Sequence, residues 1–220
     1  VYLSGFQSAV DEALASRTPA LVVDAAAVPV IAEQMSTQSA AEEASGGIHS
    51  LDPHFWLDPS LLAAPAPEVA TALAQTDPSH ADAYEAGAAQ LEASLAELDT
   101  AFSTGLAQCE RRELVTSHDA FGYLAERYDL TQMSLSGLDP EAEPSPARLR
   151  EIGDVVQQYG VTTIFTEALV SPKVAETLAS DLGIATAVLD PIESQVSDDS
   201  DYRGAMEQNL AALRDALGCA

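Results

Sequence analysis

Leu51-Asp52-Pro53-His54-Phe55-Trp56-Leu57-Asp58-Pro59 is the stretch around which the chain is organised. It holds the only tryptophan, two Asp-Pro steps and a histidine between them. Each proline removes a backbone donor and fixes φ near about −65°. Each also pushes the preceding residue out of the helical region. The expectation is a short, stiff, extended segment in which Phe55 and Trp56 wall His54. Such a segment suits a metal ligand. It equally suits a turn whose aromatics plug a core and whose histidine is incidental. The rest of the chain has to decide.

On the N-terminal side, Phe6, Val10 and Leu14 recur every fourth residue and predict a helix over 6–16. Leu21-Val22-Val23-Asp24 reads as a buried strand. Residues 25–50 are rich in Ala, Ser, Gly, Gln and Glu, with Gly46-Gly47 near the end, and read as a mobile loop carrying His49. On the C-terminal side, Leu61, Leu62, Val69 and Leu73 give a helical pattern interrupted by Pro65 and Pro67.

Asp77-Pro78 is a helix start, with Asp77 as N-cap and Pro78 in the first turn. Tyr84, Ala88, Leu91, Leu95, Leu98, Phe102 and Leu106 then mark the longest periodic segment, a helix over 78–107 about 45 Å long. A helix of that length either pairs with another helix or joins two lobes. His80 lies on its exposed early part and reads as a surface histidine.

Beyond it, strand and helix alternate. Strands are expected over 113–116, 130–135, 161–166 and 185–189, and helices over 119–128, from 146 to 159, after Ser171-Pro172, and over 201–217. Gly160 and Gly183 end the second and third of these helices. Repeated βα units imply a largely parallel sheet and an α/β fold.

The totals exclude several functions. Of 220 residues, 35 are acidic and 9 basic, for a formal charge of −26, and Lys173 is the only lysine. A nucleic-acid backbone finds no basic patch here. Anionic lipid head groups are repelled. A field of this sign favours cations, and it also serves solubility. No apolar run is long enough to span a membrane. The chain opens at Val1 with no signal peptide, which reads as a processed or truncated start. Cys109 and Cys219 form no CxxC, so they are either one long-range disulfide or two free thiols.

The residues after the strands carry the chemistry. Ser117 and His118 follow the first, Glu167 follows the third, and Asp190-Pro191 follows the fourth. Ligands of open parallel sheets bind beyond the carboxyl ends of the strands. With His54 the set is two imidazoles and one or two carboxylates, which suits zinc and also serves Mn²⁺ or Fe²⁺. Asp190 and Glu167 also fit as helix caps or loop acids.

Four motifs now identify a resemblance: Asp52 to Pro59, Thr116-Ser117-His118-Asp119-Ala120-Phe121-Gly122-Tyr123, Phe165-Thr166-Glu167, and Leu189-Asp190-Pro191. In order and spacing they resemble the solute-binding proteins of bacterial zinc and manganese ABC transporters (the cluster A-I metal-binding family), closest to the zinc-uptake branch. The resemblance covers essentially the whole chain. It implies two (β/α) lobes with mostly parallel sheets joined by a long rigid helix. Residues 1–76 would be the remainder of the N-terminal lobe, 77–107 the linking helix and 108–220 the C-terminal lobe.

The resemblance also implies a function: capture of Zn²⁺ outside the cytoplasm and delivery to an ABC transporter permease, by a monomer that is not an enzyme. His54, His118 and Asp190 would be the metal ligands. Manganese-type relatives carry an acid where His118 stands, so His118 speaks for zinc. Glu167 matches a ligand of manganese-type members and is expected here either behind the ligands or as an alternate one. The loop with His49 resembles a metal-collecting loop but is poor in histidine.

Gly5-Phe6 to Ala13 resembles the middle of the family's first lobe. A further ligand histidine, a signal peptide and any lipid anchor would therefore belong to a part of the family not in this sequence. An extracytoplasmic setting implies a Cys109–Cys219 disulfide. The alternatives kept open are a Mn²⁺- or Fe²⁺-binding component of the same fold, an adhesin-like surface protein and a zinc hydrolase. The last has no HExxH and only Glu167 as a candidate base.

Overall fold

The computed structural model describes residues 1–17, 21–44, 51–168, 171–194 and 201–220. The fold is α/β, and the chain divides into two compact units, Val1–Asp99 and Thr100–Ala220.

The first unit is mostly helical among the described residues. It contains α1 (Ser8–Ser16), α2 (Pro29–Ala44), α3 (Pro59–Ala63) and α4 (Ala66–Thr76), with 3-10 turns at Ala25–Ala27, His54–Leu57 and Pro78–His80. The long helix α5 (Ala81–Gly105) starts in this unit and ends in the second. It is shorter than 78–107 because its first turn is the 3-10 piece. There Asp77 accepts from Ser79 Oγ, His80 Nδ1 and Tyr84 OH. These bonds, Ser79 foremost, hold the Asp77 carboxyl below its ordinary pKa. The stability they add is present above the carboxylate range and is lost as pH falls through the lowered pKa. Leu95 and Leu98 are buried on α5, whereas Leu91 is exposed.

Three expectations for this unit are corrected. Leu21–Asp24 is not a buried strand: Leu21 and Val22 are exposed, and the only pairing is the bridge of Asp24 to Tyr2. A strand needs a row of partners, and among the described residues Tyr2 alone supplies them.

Residues 25–44 are not a loop. Pro29 opens α2, and Ala, Gln, Glu and Met carry it, all strong helix formers. Its weak amphipathic pattern hid it, although Ile31 and Met35 are buried one turn apart. His49 lies outside the described residues.

The segment around His54 is not extended either. The pre-proline constraint acts on Asp58, which is extended, but it does not reach the four residues before it, His54–Leu57. Those residues wind into the 3-10 turn, with Asp52 Oδ1 accepting the His54 N–H at 2.9 Å.

The second unit is built on four parallel strands, β1 (Glu113–Thr116), β2 (Thr131–Ser134), β3 (Thr163–Thr166) and β4 (Ala185–Val188), in the order β2-β1-β3-β4. Helices α6 (Gly122–Arg127), α7 (Pro146–Tyr159), α8 (Lys173–Leu182) and α9 (Tyr202–Leu217) alternate with them. Val115 and Ile164 point into a cluster with Ile152, Val156, Ala175 and Ala179 of α7 and α8. Their chain neighbours Leu114 and Phe165 alternate to the opposite face and are also buried, as a two-sided parallel sheet requires. Ser145 caps α7, and Gly160 and Gly183 end α7 and α8 at φ 65° and 71°. Helix α6 is shorter than 119–128: its N-cap is Phe121 and its C-cap Tyr128, and the Asp119 N–H donates to Gly137 O.

Cys109 and Cys219, 110 residues apart, are joined by a disulfide. Backbone bonds from Glu110 N to Gly218 O, Arg111 N to Leu217 O and Ala220 N to Gln108 O hold the same end. Because the bridge closes a long loop in the unfolded chain, replacing both cysteines with serine is expected to cost about 2–4 kcal/mol. That corresponds to roughly 4–16 °C in melting temperature for a chain of this size. A thermal melt of the double variant showing no decrease would contradict this.

Candidate functional site

The strand order makes the junction of β1 and β3 the switch point of the sheet: the chain steps outward from β1 to β2 on one side and from β3 to β4 on the other. Ligands of such sheets bind beyond the carboxyl ends of the strands at that junction. The residues that follow β1 and β3 meet there. Ser117 N donates to Phe165 O at 2.9 Å, which carries the pairing one step past β1. Ser117 Oγ then donates to Glu167 Oε1 at 2.8 Å, and His118 Nδ1 lies 2.5 Å from the same oxygen.

His118 and Glu167 are both buried. With Glu167 Oε1 as the acceptor, Nδ1 is the donor of this bond and Nε2 is the ring nitrogen turned away from Glu167. The His118 backbone is fixed as well. Thr116 Oγ1 donates to its carbonyl at 2.7 Å, and Gln132 Nε2 donates to both that carbonyl and Thr116 Oγ1.

Nε2 of His118 lies 3.7 Å from Glu193 Oε1, a carboxylate that is 41% exposed. Sequence reasoning did not single out Glu193. It looked at the residue directly after β4, which is Asp190. That residue is occupied with the turn: its N–H donates to Asn209 Oδ1, its carbonyl accepts from Asn209 Nδ2, and its Oδ1 accepts the Ile192 N–H at 2.8 Å. Asn209 is buried on α9 and clamps the Asp190 backbone.

Ile192 sits at φ 57°, a left-handed conformation rare for a β-branched residue. Such a residue lies about 1–3 kcal/mol above its relaxed state. The Asp190 turn and the reversed backbone at Ile192 precede the acid that approaches His118. The signal for Glu193 was therefore a turn-forming Asp-Pro with an acid two residues beyond it.

His54 belongs to the first unit and is buried on its 3-10 turn. Asp52 Oδ1 lies 2.7 Å from its Nδ1 and also accepts its backbone N–H. The Trp56 ring stands 5.2 Å away, centroid to centroid. By the same donor argument Nδ1 is the ring nitrogen that donates to Asp52, and Nε2 is the one turned away from it. His80 is 65% exposed and pairs with Asp77, so it is a surface residue. No described helix is long and apolar enough to cross a membrane.

In the second unit, His118 with Glu193 near its Nε2 offers nitrogen and oxygen donors of the type that zinc takes. Comparisons with known proteins point the same way. The family model for the zinc-uptake complex component A, periplasmic, matches residues 1–216. The high-affinity zinc uptake system protein ZnuA of Bacillus subtilis is 37% identical over 173 residues, covering 77% of this chain and 54% of that protein. The zinc-binding lipoprotein AdcA of Streptococcus pneumoniae is 38% identical over 173 residues, covering 77% and 34%.

Among solved structures, the laminin-binding protein Lbp of Streptococcus pyogenes matches with a TM-score of 0.71 and 37% identity, over 76% of this chain and 65% of that one. A Zn(II)-bound AdcAII variant of Streptococcus pneumoniae matches with a TM-score of 0.69 and 37% identity, over 76% and 60%. The chain thus spans little more than half of the Bacillus protein and about a third of AdcA.

The buried carboxylate behind His118 has a measurable cost of removal. Glu167→Ala leaves Nδ1–H and the Ser117 hydroxyl without their acceptor, and is expected to destabilise the protein by about 1–3 kcal/mol. Urea titration of the metal-free protein checks this, and an unchanged midpoint would contradict it.

Proposed function

The chain belongs to the periplasmic zinc-uptake complex component A family, and from that premise we propose that it captures Zn²⁺ outside the cytoplasm and delivers it to the permease of an ABC transporter. The ion is cargo, and the family is one of metal-binding transporter components rather than enzymes. The observation that carries the reading is a buried His118 whose Nδ1 is held by Glu167 and whose Nε2 faces a second carboxylate. That is one half of a nitrogen-and-oxygen zinc site. His54, whose Nε2 is likewise turned away from its carboxylate partner, is the ligand assigned to the first unit.

On this reading Glu193 is the carboxylate ligand and takes the place given to Asp190 from the sequence. Glu193 Oε1 is the oxygen near Nε2, whereas Asp190 Oδ1 is used by the Ile192 N–H. Glu167 stands behind His118 and is not a ligand, since its Oε1 takes two donors and faces the other ring nitrogen. Imidazole nitrogen favours zinc over Mn²⁺, which prefers oxygen. The formal charge of −26 raises the local concentration of cations of either kind.

A second reading has its own support. A structural neighbour from Streptococcus agalactiae is described as a bifunctional protein with adhesin and metal transporting activity, at a TM-score of 0.72 and 37% identity over 76% of this chain and 65% of that one. A solid-phase assay against laminin tests an adhesin role directly, and absence of saturable binding removes it.

Two measurements test the main reading. Competition calorimetry is expected to give tighter binding for Zn²⁺ than for Mn²⁺, and the opposite order overturns the metal assignment. Glu193→Gln is expected to weaken zinc binding by more than the roughly 10–100-fold typical of losing a group that only orients a ligand. Asp190→Asn keeps the turn acceptor and should cost less. The reverse ranking would restore Asp190 as the ligand.

A further inference from the structure

We propose that Asp52 is a positioning residue for metal capture: its buried carboxylate sets the tautomer of His54 so that Nε2 is the ligand atom. The proposal rests on the zinc reading above, but its evidence is local to the first unit. One oxygen, Asp52 Oδ1, accepts both the His54 backbone N–H at 2.9 Å and the ring Nδ1–H at 2.7 Å. An Asx turn needs only the first of these bonds. The second serves the ring.

Isolated neutral histidine prefers its proton on Nε2, which would cover the ligand atom. A carboxylate against Nδ1 reverses that preference, raises the basicity of the ring and stops it rotating. Two donors on one oxygen also lock the ring to its own backbone, so that one aspartate orients both.

Burial distinguishes this pair from a surface contact. His54 and Asp52 are 2% and 7% exposed, where a charge–dipole interaction is little screened. His80 also meets a carboxylate at Nδ1, but those partners are 65% and 40% exposed and belong to the start of a helix. Glu167 makes the buried arrangement a second time, with His118, using a residue from a different strand end instead of a turn. Two unrelated backbone solutions converge on the same constraint: the proton on Nδ1, a carboxylate behind it and Nε2 forward.

The test uses the full chain without metal. Long-range ¹H–¹⁵N NMR of the imidazoles reads each tautomer, and His118 serves as an internal control for the fold. Wild-type His54 is expected as the Nδ1–H form. In Asp52→Ala it is expected to redistribute toward the Nε2–H form while His118 does not change. Zinc affinity, measured against a competing chelator, should fall about 10–100-fold. Asp52→Asn keeps the turn and an acceptor oxygen but removes the charge. It is expected to retain the Nδ1–H form and still bind zinc more weakly than wild type.

His54 remaining in the Nδ1–H form in Asp52→Ala would overturn the proposal, as would wild-type zinc affinity in Asp52→Asn. Should Asp52→Ala disturb the His118 signals, the affinity of Asp52→Asn decides alone. Failure of the zinc reading looks different: zinc added to the wild-type protein would leave the His54 and His118 signals unmoved.

Discussion

The second unit depends on one carboxylate oxygen. Glu167 Oε1 accepts from the Ser117 hydroxyl and from His118 Nδ1, and so ties the segment after β1 to the segment after β3. The sheet order makes this possible. β1 and β3 are neighbours although a strand and two helices separate them in sequence. The bond therefore exists only once the central pair of the sheet has formed. The fold of the second unit itself orients the His118 imidazole.

A second device recurs along the chain. In Asp52-Pro53-His54, Asp58-Pro59-Ser60, Asp139-Pro140-Glu141 and Asp190-Pro191-Ile192, the aspartate Oδ1 accepts the backbone N–H two residues on. Proline has no N–H to compete for that oxygen, and its fixed φ holds the turn open for the next residue. The first of these turns carries His54 and the last precedes Glu193. The same short motif thus places one candidate ligand in each unit: the first aspartate holds both its turn and the His54 ring, and the fourth is spent on its turn.

Much of this was legible in the sequence. The four strands of the second unit stood out as short β-branched runs, and Gly160 and Gly183 marked helix ends because only glycine takes the left-handed position cheaply. His118 and Glu167 were visible because strand ends in a parallel sheet face a common edge. Glu193 was marked only by the Asp-Pro turn before it; its approach to His118 depends on the reversed backbone at Ile192, which that pattern does not specify. Helix α2 was hidden by composition: alanine, glutamine and glutamate favour a helix yet give no amphipathic stripe. The turn at His54 was misread because a rule about single residues before proline was extended across four residues.

Ile192 deserves a mechanical description. Besides Asp129, it is the only described residue other than glycine with positive φ, and its branched Cβ makes the position uphill for the backbone. A relaxed backbone at 192 would carry Glu193 off its present heading. The turn is therefore a cocked latch: its closed position is held against a restoring torque. The bond from the Ile192 N–H to Asp190 Oδ1 supplies a holding force, and on the proposed role an ion that gains the Glu193 oxygen adds to it. A glycine at the same point would remove the torque and, with it, the stiffness of the lever.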